Sequence, residues 1–267
     1  MLRKLVEYLL QNPNRFKTAL LPYRQRLSEL YFQYPSVINS GFLHMDRIIT
    51  LMKQENLGQS QQSALVDIGA ARGEMLEILQ KTFPECQKYA FEPRKEDFTN
   101  LESKFGKKSS FTLVNKALGA TSVAAMEMNN TARSTSSSLL KVNTQLSDTY
   151  FAENIKTVAT ENIELSTLDE EIPNHLAVDL LKIDVQGYEL EVLRGGTNTL
   201  KRTAMILVEM QNHQIYEDAA QYYEIDEFLR QQSFGLFEII PSIRRRGKLY
   251  EWDAIYVNNK INQRYQS

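Results

Sequence analysis

The residues best placed to do chemistry lie in Leu181-Lys182-Ile183-Asp184-Val185-Gln186-Gly187-Tyr188-Glu189, where charges break an apolar run that begins at Ala177. A parallel strand covered on both faces reads as a near-continuous apolar run. A charge inside one is costly unless paired. In open α/β sheets, ligands bind outside the carboxyl ends of the strands, so Asp184 marks the expected ligand site. A second carboxylate, Glu209, ends the run Ala204-Met205-Ile206-Leu207-Val208, and His213 follows it. Asp184 or Glu209 could orient or deprotonate a hydroxyl. His213 is the third candidate, because histidine titrates near neutrality and is the commonest general base. Lys182 precedes Asp184 by two residues and so faces the same side of a strand. It reads as a buried ion-pair partner of Asp67, Asp184 or Glu209 in preference to a catalytic amine. Glu189 reads as a cap or dipole partner at a helix start. A divalent metal held by Asp184 and Glu209 has no clustered ligand spacing behind it, and none is expected.

The second group of residues is Ala64-Leu65-Val66-Asp67-Ile68-Gly69-Ala70-Ala71-Arg72-Gly73-Glu74. A short apolar strand enters a glycine turn and leaves as a helix with apolar period (Met75, Leu76, Ile78, Leu79). Glycine permits positive φ and close backbone approach, and the helix start offers free N–H groups. Beyond it, Tyr89-Ala90-Phe91-Glu92-Pro93 reads as a second strand ending in a carboxylate, where a nucleotide-type ligand has its ribose hydroxyls held. Glu92 could accept both hydroxyls of a vicinal diol. Asp67 could touch the ligand or stiffen the turn. The Gly69–Gly73 spacing departs from the G-x-G-x-x-G of nicotinamide-dependent enzymes, which argues against a dehydrogenase.

These residues need a frame. Apolar periodicity predicts strands over 64–68, 87–92, 110–115, 177–184 and 203–209, with helices over 74–82, 95–105, 188–194 and 221–232 between them. Such alternation implies parallel strands with right-handed crossovers. An antiparallel pair, 236–243 and 249–257, ends the pattern, turning at Arg244-Arg245-Arg246-Gly247, which reads as a solvated tip. Two further strands are predicted over 122–128 and 155–165. The loop 129–138 between them holds a serine run, a solvated linker on composition alone.

The Gly69–Gly73 turn, Phe91-Glu92-Pro93 and Lys182-Ile183-Asp184-Val185-Gln186-Gly187-Tyr188-Glu189 together resemble an FkbM-type S-adenosylmethionine-dependent methyltransferase. Asn115-Lys116-Ala117-Leu118-Gly119, Ser137-Ser138-Leu139, Thr167-Leu168-Asp169 and Trp252-Asp253-Ala254-Ile255-Tyr256-Val257 extend the resemblance over roughly residues 61–258. It implies an α/β fold: a doubly wound, mostly parallel seven-stranded Rossmann-like sheet with a C-terminal antiparallel hairpin, preceded here by an N-terminal helical extension. It implies S-adenosyl-L-methionine as cofactor, O-methylation, and a small-molecule or saccharide acceptor. The cofactor-binding set it implies is Asp67, Gly69, Ala70, Ala71, Gly73, Glu92, Pro93, Asn115, Lys116, Ala117 and Asp184. Asn115 and Ala117 would lie beside the adenine. In that fold the strand ending at Glu209 neighbours the one ending at Asp184, about 4.8 Å away, so the two carboxylates converge. The serine run becomes a lid over the site. The rival reading is a non-catalytic scaffold or relic that keeps the fold without turnover.

Composition fits. A formal charge of −2 over 267 residues supplies no broad basic field for nucleic acid, and no Asn-Pro-Pro-Tyr-like element is present for a flipped base. One cysteine, Cys86, makes an internal disulfide impossible and fits a reducing, cytoplasmic setting. No apolar run reaches the roughly 20 residues a membrane span needs. Residues 1–60 read as helices broken at Pro13, Pro22 and Pro35, with 24–34 and 42–55 the better candidates. Such a segment could cap the cofactor site or pair two copies as a homodimer. Residues 1–10, amphipathic with Arg3 and Lys4, would pack on the body or a second subunit in preference to a membrane surface. The methyltransferase domain is expected over 61–267.

Overall fold

The computed structural model describes residues 40–145, 155–245 and 248–262. The helices expected over 1–10 and 24–34, and the hairpin tip at Arg246 and Gly247, lie outside the described residues. The chain divides into one unit of residues 1–46 and a second of 47–267, and the sheet belongs to the second.

Helix α1 (Ser40–Gln54) buries Ile48, Leu51 and Met52, one stripe at helical spacing. Strand β1 (Ser63–Ile68) is buried at all six positions, as a central parallel strand should be. The alternation then runs through α2 (Glu74–Thr82), β2 (Gln87–Phe91), α3 (Lys95–Phe105) and β3 (Phe111–Val114). After a detour come β7 (Ala177–Ile183), α5 (Glu189–Arg194), α6 (Thr197–Leu200), β8 (Thr203–Gln211) and α7 (Tyr222–Gln231). Strands β9 (Phe234–Arg245) and β10 (Lys248–Asn258) close the sheet, and a last turn, α8 (Asn259–Asn262), follows.

The seven strands stand in the order β3-β2-β1-β7-β8-β10-β9. All pairs are parallel as far as β8, and β10 is antiparallel to both β8 and β9. The expected doubly wound sheet with its antiparallel hairpin is therefore present. One face carries Val66, Ile68, Leu181, Ile183, Ile206 and Val208, packed against Leu190 and Leu193 of α5 and Ile225 and Leu229 of α7. Alternation along a strand sends residues 67, 182, 184 and 209 to the opposite face.

The two further strands are present, and they form a sheet of their own. Strand β5 (Val123–Thr131) and strand β6 (Thr157–Ser166) do not join the main sheet. They pair antiparallel with each other, and β4 (Ala117–Leu118) joins β6 in a separate three-stranded sheet. Their apolar content explains this: Ala117, Met128, Ile163 and Leu165 form one buried cluster, while Val123 and Val158 are exposed. Strands with one apolar face cannot sit inside a sheet covered on both. Between β6 and β7 lies α4 (Leu168–Glu171), capped by the Thr167 hydroxyl, which accepts from the amide of Glu170, its third residue. The serine run is no solvated linker either. Strand β5 continues to Thr131, a 3₁₀ turn covers Ser134–Ser136, and Ser136, Ser137 and Ser138 are buried.

Candidate active site at the carboxyl ends of the parallel strands

Register sets the charged residues in rows. Asp67 on β1 stands opposite Lys182 on β7, and Asp253 on β10 stands opposite Glu209 on β8. The Lys182 ammonium lies 3.1 Å from Asp67 and 3.6 Å from Asp184, and it donates to the Gly69 carbonyl at 2.8 Å. Burial pulls its pKa down, but the charges of Asp67 and Asp184 outweigh that, and the net shift is upward. A lysine held protonated is a fixed charge that fastens the glycine turn to β7. It is not a proton acceptor.

Asp184 and Glu209 do converge, through a residue that sequence reasoning did not single out for the site. The Gln186 amide donates one hydrogen to Asp184 Oδ1 at 2.9 Å and one to Glu209 Oε2 at 2.7 Å. Its oxygen lies 2.9 Å from the Tyr216 hydroxyl, which also lies 2.7 Å from the Ser136 carbonyl. The Ser138 hydroxyl donates to the Gln186 carbonyl at 2.7 Å. Glu189 reaches back from the start of α5 and accepts from the amides of Val185 and Gly187, both at 3.0 Å. The segment 184–187 is thereby fixed from three sides. Burial, then the charge of Asp184, pushes Glu209 well up from the ordinary carboxylate range. Burial likewise lifts Glu189 to about 7. Burial and the negative field of Glu209 raise the Tyr216 phenol, so it remains a donor. His213 is elsewhere: its ring packs on Tyr250 with centroids 4.1 Å apart, and its Nε2 is buried without a partner.

The glycine turn joins this group directly. Gly69 has φ +78°, and a Cβ there would fall 2.0 Å from the Asp184 carbonyl oxygen. Gly73 has φ +75° and opens α2, where a Cβ would meet Leu101 and Phe105 at 2.7 Å. The amides of Gly69 and Ala70 both donate to the Phe91 carbonyl at 3.0 Å, which binds the turn to the end of β2. Glu92 follows there, almost fully buried. Its Oε2 accepts from the Ala71 amide at 2.8 Å and its Oε1 from the Arg94 amide at 2.9 Å. Burial raises it to about 7 against those bonds. The Asn115 amide donates to the carbonyls of Glu92 and Pro93 at 2.8 and 2.9 Å, which holds Pro93 in place. Lys116 points to ion pairs with Glu164 at 2.7 Å and Glu171 at 3.1 Å, and Ala117 is buried in the small sheet.

Among the described residues no group of three or more acidic, histidine or cysteine side chains could hold a metal, and no helix is long and apolar enough to cross a membrane.

The chain matches the family profile described as the methyltransferase FkbM domain over residues 67–236. No curated protein matches it. Similar solved structures include methyltransferase FkbM from Methylobacillus flagellatus KT, with 14% identity and a TM-score of 0.46 over 74% of this chain and 44% of that one. The chain thus spans less than half of that protein's length. Magnesium protoporphyrin IX methyltransferase (ChlM) from Synechocystis PCC 6803, solved with bound SAM, shows 9% identity and a TM-score of 0.47, covering 82% of this chain and 80% of that one. The N-methyltransferase NodS from Bradyrhizobium japonicum WM9 shows 10% identity and a TM-score of 0.44 over 82% and 96%. With the profile covering well over half its length, from Asp67 at the end of β1 to the start of β9, the chain belongs to the FkbM methyltransferase family.

Proposed function

We propose that the protein transfers a methyl group from S-adenosylmethionine to a hydroxyl of a small molecule or saccharide. The observation that carries this reading is the pair Asp184 and Glu209, tied by one Gln186 amide at the ends of adjacent parallel strands beside the Gly69–Gly73 turn.

The residues fit such a cofactor. A carboxylate has about four lone-pair positions, so Glu92, with one N–H on each oxygen, keeps an acceptor on each for two ribose hydroxyls. Ala70 and Ala71 leave the turn without bulky side chains, Asn115 holds Pro93 beside it and Asp67 acts through Lys182, whereas Lys116 and Ala117 turn to the small sheet. When bound, S-adenosylmethionine supplies an electrophilic methyl group. The chain's own part is to hold the acceptor oxygen within roughly 3–3.5 Å of its target and to remove its proton. Two neighbouring carboxylates favour one shared proton. Burial keeps that proton on Glu209, which leaves Asp184, the more exposed of the two, as the acceptor for the hydroxyl proton. In this reading residues 61–267 are the methyltransferase domain and 1–60 a helical extension that caps it or pairs two copies.

Labelled-methyl transfer to a panel of sugars and hydroxylated small molecules tests this. Asp184→Asn should lower turnover by about 10²–10⁴-fold, the usual worth of a general base, while cofactor affinity changes little. Glu209→Gln should cost less, and His213→Ala least. Wild-type turnover in a folded, cofactor-binding Asp184→Asn protein would contradict the assignment, and a larger loss in His213→Ala would move the base there.

A further inference from the structure

Beyond Asp184, the carboxyl end of β8 carries a polar wall of which the transfer step uses Glu209 alone. Alternation places Glu209 and Gln211 on one face of β8. In the antiparallel pairing with β10, Gln211 stands opposite Glu251 and Glu209 opposite Asp253. The Ser242 hydroxyl donates to Glu251 from β9 at 3.2 Å. Gln211 is 5% exposed, yet neither its amide nitrogen nor its amide oxygen has a hydrogen-bond partner. Buried polar groups in native proteins are nearly always paired. An amide orphaned at both ends, facing a carboxylate, is therefore shaped for something that brings both a donor and an acceptor.

Charge narrows what that something is. Asp184, Glu209, Glu251 and Asp253 crowd this end of the sheet, and Lys182 is occupied by Asp67 and the Gly69 carbonyl. Burial, then the charge of Asp184, lifts Glu251 to about 7 against hydrogen bonds with Ser242 and the Glu209 carboxyl, and two carboxyls in contact share a proton where a cation would otherwise sit. A neutral polyol would satisfy the Gln211 amide and leave Glu209 and Glu251 to share their proton. A protonated amine beside a hydroxyl would satisfy both. Resting on the methyltransferase reading, we infer that Glu209, Gln211 and Glu251 form an ammonium subsite, and that the methyl acceptor is an amino alcohol of the aminosugar type.

The test compares matched probes on the full chain at about pH 7, with sodium chloride equalising ionic strength: ethanolamine against ethylene glycol, and glucosamine against glucose and N-acetylglucosamine. A ligand that binds only the folded state raises the melting temperature. At tens of millimolar, each amine should raise it by roughly 3 °C or more above its neutral counterpart. Glu251→Gln and Gln211→Met should each remove more than half of that difference. Equal shifts from amines and neutral probes, or a difference untouched in both variants, would overturn the ammonium subsite. Binding of S-adenosylhomocysteine is measured alongside on all three proteins. Its loss from the wild type would count against the methyltransferase reading and leave the amine result to be judged by itself.

Discussion

Gln186 holds a backbone conformation that few side chains adopt, with φ at +57°, a strain of order 1–3 kcal/mol. Its bonds to Asp184, Glu209, Tyr216 and Ser138 hold it there. Gln186→Leu should therefore cost about 1–3 kcal/mol in urea unfolding, since it leaves buried acceptors unmatched. Gln186→Gly relieves the strain but not the lost amide. It should recover part of the stability and none of the turnover, and equal recovery of both would show that the amide has no part in the chemistry. Asp184 and Lys182 were legible in the sequence because charges stand out in an apolar run. Glu209 was legible because it ends one. Gln186, Tyr216, Gln211 and Glu251 were not. Their meaning lies in contacts between elements far apart in sequence, and alternation speaks only for neighbours within one element. Glu92 was read as a ligand residue, and the structure shows it fastening the backbone of the turn, a role no sequence pattern announces.

At the scale of elements, the glycine turn is the joint where β1, β2 and β7 meet. Gly69→Ala would drive a methyl to 2.0 Å from the Asp184 carbonyl at an unfavourable φ, so the two strand ends must part. It should destabilise the protein by about 3 kcal/mol or more and weaken cofactor binding as well. A stable Gly69→Ala protein with intact binding would mean the joint is looser than its geometry implies. Helices Glu74–Thr82 and Lys95–Phe105 match the expected spans, because an amphipathic stripe between sharp breakers is a local signal. The small sheet was only half legible. Its strands were foreseen, but which sheet they join depends on long-range pairing that local periodicity does not encode. The serine run misled through composition, since its hydroxyls bond to β5 and to Gln186 in place of water. Lys88 is a similar surprise: fully buried, its ammonium donates to the carbonyls of Phe83, Pro84 and Cys86 and closes the end of α2.

For the described unit as a whole, the buried carboxyls set how stability depends on pH. Glu92, Glu189 and Glu251 are each raised by burial from 4.5 to about 7. A group raised on folding binds its proton more tightly in the folded state. Its contribution is complete below about 4.5 and is lost as pH rises through about 7. Stability should thus fall across this window, by at most about 1.4 kcal/mol per pH unit for each group. Asp226, lowered on folding because Arg230 and Tyr256 outweigh its burial, acts in the opposite sense at lower pH. Melting temperatures between about pH 5 and pH 8 check this, and Glu189→Gln should flatten the slope; stability rising over that range would be the wrong sign. In the proposed function, the turn, Glu92 and Asp184 together form an S-adenosylmethionine site. Isothermal titration of the wild-type protein tests it most directly. S-adenosylmethionine and S-adenosylhomocysteine should bind saturably and NAD should not. Glu92→Gln should weaken both by roughly ten-fold or more, because a hydrogen bond to a charged group is worth about 1.5–3 kcal/mol. No heat from either adenosyl compound with the folded wild-type protein would contradict the account at its root.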